Sequence, residues 1–145
     1  MASLNYPPHV TLATYNDDVD VDLLRKAGRL AFMNQSAISL VFRAVRYFDT
    51  SPLILWAEPS PSSELMRLYE GIHQSIPTSL CRSYYRPGTW TAHSTLAFRI
   101  REDSRRDAMF YSTRNIEPIE VRFDVGDVAS FHPVRVIEHW PLSKA

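Results

Sequence analysis

Polar and apolar positions alternate in "HVTLATY" near the start of the chain, with His9 and Thr11 on one side and Val10 and Leu12 on the other. That period of two predicts a β-strand. The period lengthens to that of a helix in "DVDLLRKAGRLAFMN" (Asp20 to Asn34). There Leu23, Leu24, Ala27, Leu30 and Ala31 gather on one face, and acidic residues crowd the start as the helix dipole favours. Strand patterns return in "ISLVFRAVRYF" (Ile38 to Phe48) and "LILWAE" (Leu53 to Glu58). Ser60, followed by Pro61, is the expected cap of a second helix through "SSELMRLYEGIHQSI" to Ile76. A loop rich in Pro, Ser, Tyr and Arg leads from Pro77 to Thr91. Then come a strand "HSTLAFRI", a helix from Ser104 to Arg114, and two closing strands, "IEVRFDVGDVASF" and "VRVIEHWPL". Gly126 is the expected site of a bulge, and "HP" marks the turn before the last strand.

This order of elements predicts an α+β fold in one domain, residues 1–145, with intertwined lobes at roughly 1–50 and 51–145. The second half reads as a fuller copy of the first. On that reading the first lobe lacks an opening strand and helix before His9, so a sheet edge is left to cover. A neighbouring subunit is one way to cover it, and a start upstream of Met1 is another; the oligomeric state stays open.

Composition narrows the partners. Lys plus Arg and Asp plus Glu both number 16, giving a formal net charge of zero. A protein that tracks a long nucleic-acid backbone neutralises many phosphates and is usually basic. A long groove for nucleic acid is therefore not expected, whereas a small nucleotide or an RNA end needs only a few cations. Cys81 is the one cysteine, which excludes an internal disulfide and cysteine-rich zinc sites and suits a reducing, cytoplasmic setting. No apolar run approaches the ~20 residues of a membrane span.

The same five-residue pattern, His-x-Thr-Leu-Ala, occurs twice: at His9 and Thr11, and again at His93 and Thr95. Side chains at i and i+2 of a strand share a face, so each copy presents an imidazole beside a hydroxyl. Val10, Leu12, Ser94 and Leu96 are then expected to face the core. An aromatic residue stands three positions before each histidine, Tyr6 and Trp90. Two imidazoles flanking one phosphorus suit the opening of a cyclic phosphodiester. One removes a proton from the attacking water, the other gives one to the leaving sugar oxygen, each worth ~10²–10⁴ in rate. Hydroxyls aimed at the non-bridging oxygens would stabilise the added charge of the transition state. The chemistry needs no metal and no cofactor.

The doubled motif resembles the signature of the two-histidine (2H) phosphoesterase superfamily. "YYRPGTWTAHSTLAF" and the closing "FHPVRVIEHWPL" are similar to segments of its bacterial 2'-5' RNA ligase branch. The resemblance implies a two-lobed fold with pseudo-two-fold β-α-β-β repeats around a central cleft. It implies metal-independent opening of 2',3'-cyclic phosphates or related nucleotides, with His9 and His93 catalytic and Thr11 and Thr95 binding phosphate. Family precedent makes the first histidine the acid and the second the base, an order the residues themselves leave open. A non-catalytic domain that binds a nucleotide or RNA end, and a 2'-5' RNA ligase, are the alternatives.

In the loop that delivers His93, Tyr85 and Trp90 are candidates for stacking on a base, and Arg86 for pairing with phosphate. The competing role for all three is to pin the loop. His73, His132 and His139 stand outside any motif and are expected to be structural or solvated. Nothing in the spacing suggests a metal site.

Overall fold

A computed structural model describes residues 6–143. The chain divides into two compact units, each drawn from three separate stretches: 1–11, 40–61 and 92–121 in the first, and 12–39, 62–91 and 122–145 in the second. The units are thus interleaved, with bounds other than the intertwined lobes at roughly 1–50 and 51–145 expected from the sequence.

The first unit is built on a four-stranded sheet. Its strands are β1 (Ile38–Phe48, whose first two residues belong to the second unit), β2 (Leu53–Pro59), β3 (Ser94–Ile100) and β4 (Asn115–Phe123, whose last two residues belong to the second unit), in the order β3-β2-β1-β4. β1 with β2 and β2 with β3 run antiparallel. The extra residue Arg43 makes a bulge in β1, between the pairs Phe42 with Pro59 and Ala44 with Glu58. Beyond it, Ala44, Arg46 and Phe48 share one face. Val45 and Leu53, 3% and 1% exposed, fill the core on the other. Completely burying residues of this kind contributes ~1.5–3 kcal/mol each.

The second unit contains α1 (Val21–Phe32), α2 (Ser63–Ser75) and a hairpin of β5 (Val125–Ser130) and β6 (Arg135–Pro141). Asp20 caps α1, its side chain accepting from the Asp22 amide. The buried side of α1 carries Ala27, Gly28 and Phe32, while Leu30 is 69% exposed and lies off the expected stripe. Glycine is needed at 28 because a Cβ there would come within 2.7 Å of the Trp140 ring.

Several boundaries differ from the sequence expectation. The cap of α2 is Ser62, whose Oγ accepts from the Leu65 amide; Ser60 instead accepts from Arg43 Nε at 3.1 Å. The third helix, α3, is shorter than expected (Arg105–Tyr111). The long strand pattern after it breaks at Asp124, so β4 joins the larger sheet and β5 the hairpin. Gly126 does not mark the bulge, which falls between Val128 and Ala129. Its lack of a side chain makes room for the Phe32 ring instead. The segment "HVTLATY" forms no strand; only Tyr15 makes a ladder contact, an antiparallel bridge to Cys81. Alternation provides the faces of a strand but not the neighbour that a strand requires.

Candidate functional site

Both His-x-Thr motifs belong to the first unit. His93 directly precedes β3, and Thr95 pairs across the sheet with Trp56 of β2, which in turn pairs with Arg46 of β1. Cross-strand partners point to the same side, so Arg46, Trp56 and Thr95 form a row on one face. His93, two residues before Thr95, belongs to that face. Trp56, only 6% exposed, stacks on Phe48 with ring centroids 4.9 Å apart. The His93 ring stands edge-to-face against both, 5.1 Å from Phe48 and 5.9 Å from Trp56. Such aromatic packing fixes the plane of the imidazole.

Past Thr95 the ladder slips. Trp56 pairs with Thr95 but Leu55 pairs with Ala97, so Leu96 is an extra residue. This bulge turns Leu96 outward, 46% exposed, against the expectation that it faces the core; Ser94 is buried as expected.

His9 is positioned by local contacts. Its Nδ1 lies 2.9 Å from the Pro7 carbonyl, and its ring meets Tyr6 edge-on at 4.9 Å. A carbonyl oxygen only accepts, so Nδ1 carries the proton and the neutral ring keeps its lone pair on Nε2. Val10, Thr11 and Leu12 are half-buried.

The loop candidates belong to the second unit. Trp90 stacks face to face on Tyr69, centroids 4.1 Å apart and planes within 6°. The Tyr69 hydroxyl donates to the Tyr85 carbonyl at 2.9 Å. Arg86 turns back on its own loop: Nε donates to the Cys81 carbonyl at 2.8 Å and Nη2 to the Ser79 carbonyl at 3.0 Å. Its guanidinium is thus used to pin the loop.

Cys81 is 1% exposed. Burial raises its thiol pKa, opposed by a hydrogen bond to the Thr14 backbone and by the Arg86 charge, so the sulfur is a poor nucleophile. The His73 ring packs tilted against Tyr69, centroids 4.4 Å apart, both ring nitrogens buried and without a completed hydrogen bond. Burial lowers its pKa, opposed by the backbone at Leu12 and Tyr85. His132 lies in the turn before β6 and His139 on that strand, both exposed. Among the described residues, no three His, Cys, Asp or Glu side chains gather as a metal ion would need. No described helix is long and apolar enough to cross a membrane.

The sequence reading missed Arg46, Phe48, Trp56 and Glu58, which share the face of His93 and Thr95. Arg46 Nη2 pairs with Glu58 at 3.0 Å. No local motif marks these residues; only the register of three strands brings them together.

The sequence model of the 2'-5' RNA ligase superfamily matches residues 2–133. The chain belongs to that superfamily. This 2H phosphoesterase family is the one its doubled motif resembles. Among solved structures, the fold is similar to a protein described as a phosphoesterase (19% identity, 94% of this chain and 78% of that one, TM-score 0.61). It is also similar to E. coli LigT complexed with 3'-AMP (20% identity, 94% and 78%, TM-score 0.60). TT0787 of Thermus thermophilus is a third relative by fold (18% identity, 94% and 79%, TM-score 0.60). At these identities the likeness establishes the mixed α+β fold. No protein of curated function matches the chain.

Proposed function

We propose that the protein is a phosphoesterase that opens a 2',3'-cyclic phosphate on a small nucleotide or an RNA end. In this reading His9 and His93 flank the phosphorus, one as acid and the other as base, while Thr11 and Thr95 hold the non-bridging oxygens. Water attacks phosphorus, one imidazole takes its proton, the other protonates the departing sugar oxygen, and a phosphomonoester is left. The observation that carries the proposal is the occurrence of both His-x-Thr motifs in one compact unit of a superfamily member. The Pro7 contact supports it by keeping His9 Nε2 available. The nucleotide ligand of the LigT relative, 3'-AMP, supports the substrate class. For Trp90 and Tyr85 the proposed role is contact with a nucleobase, and for Arg86 support of their loop with a phosphate contact as the alternative.

The test is hydrolysis of 2',3'-cyclic AMP followed by phosphorus NMR. Turnover by the wild type, reduced ~10²–10⁴-fold in His9→Ala and in His93→Ala, is expected. No wild-type turnover, or unchanged turnover in both variants, rejects the proposal. The superfamily's name favours a second reading, joining of RNA by a 2'-5' bond; a gel assay for joined ends separates it from hydrolysis.

A further inference from the structure

Arg46 lies two strands from Thr95 and on the same face, with the buried Trp56 between them. At the usual interstrand spacing the two backbones are ~10 Å apart. A long arginine side chain narrows that gap to the scale of neighbouring phosphates on one nucleotide. Glu58 is two residues beyond Trp56 on β2 and pairs with Ala44, so it too lies on this face, one register step from Trp56 toward His93. The Arg46–Glu58 pair joins the two rows, and both side chains are half-exposed, at 49% and 43%. Nη2 is engaged by Glu58, while Nη1 donates to the Val45 carbonyl at 3.5 Å, a long contact. Exposed ion pairs of this kind contribute little to folding stability. The guanidinium fork nonetheless presents donors in a plane suited to a phosphate. On the face that also carries an imidazole and a hydroxyl, a tethered cation has a use that folding does not supply.

We propose that Arg46, held by Glu58, is a subsite for a second phosphate, so that the preferred ligand carries a phosphate besides the one placed at His93 and Thr95. This rests on the proposed phosphate site there. It names the substrate class more narrowly: a nucleotide bearing a 5'-phosphate, or an RNA end with its last internucleotide phosphate, in preference to a bare cyclic nucleoside phosphate. Glu58 orients the guanidinium and repels anions that approach away from the fork.

Calorimetry with 3'-AMP and with adenosine 3',5'-bisphosphate tests the inference without any need for turnover. Wild type is expected to bind the bisphosphate about tenfold or more tightly, Arg46→Gln to lose that preference, and Arg46→Lys to retain part of it. Equal binding of the two ligands by wild type, a preference undiminished in Arg46→Gln, or binding of neither ligand overturns it. Thermal unfolding of the variants checks the fold; should Arg46→Gln prove unstable, Arg46→Lys decides, and a preference as large as wild type's then counts against the subsite. Hydrolysis of 2',3'-cyclic AMP, measured separately, tests the catalytic reading: a bisphosphate preference without hydrolysis keeps the subsite and removes the enzyme.

Discussion

The chain carries His-x-Thr-Leu-Ala twice and folds it in two ways. At 93–97 the letters enter β3, pair with β2 and set His93 against Phe48 and Trp56. At 9–13 they enter no strand, and His9 is held by the Pro7 carbonyl and the Tyr6 ring, both within three residues. His93 is thus fixed by partners distant in sequence, His9 by neighbours. Identical side-chain patterns state which groups face together; the surrounding chain decides what holds them.

The largest expected effect on this contrast is in stability. Trp56→Ala removes the buried ring that both Phe48 and His93 lean on, and should cost ~3–5 kcal/mol in urea unfolding. Tyr6→Ala, beside the first histidine at a half-buried position, should cost less than about 1 kcal/mol. Equal costs would end the distinction between a histidine held by the core and one held locally. Thr95→Val and Thr11→Val sharpen it kinetically. If each hydroxyl serves the transition state, each change lowers kcat ~10²–10³-fold. A loss confined to Thr95→Val would leave the strand-borne copy alone as functional.

The smallest effect concerns pH. Burial keeps His73 neutral and holds its folded pKa below the ordinary 6.5. The unfolded chain then binds this proton at higher pH than the folded one does. Its contribution is complete above about pH 6.5 and is lost as pH falls through the folded value. Unfolding midpoints taken from pH 8 to 5 should decline, and His73→Phe should flatten the slope. An unchanged slope would remove His73 as its source.

Much of this architecture was legible in the sequence. The limits of β1 follow from alternation in "ISLVFRAVRYF", and α1 follows from its periodic apolar residues and acidic start. What escaped depends on contacts between distant residues. Ser60 and Ser62 are equally good caps by composition, and Arg43 draws the first away. Gly126 reads as a bulge site until Phe32 is seen against it. The doubled motif identified the candidate histidines and threonines, but Arg46 and Glu58 required the register of β1, β2 and β3. Arg86, which composition offers equally to a phosphate or to its own loop, has its donors on the Cys81 and Ser79 carbonyls.

The slip at Leu96 has a consequence for how molecules of this protein meet one another. β3 is the outermost strand on its side of the four-stranded sheet, and an even row of amides there would invite a second chain to dock and continue the ladder. The extra residue, a second irregularity further along, and the left-handed backbone of Arg99 interrupt that row. The kinks that aim the motif's side chains also leave the rim a poor template for aggregation.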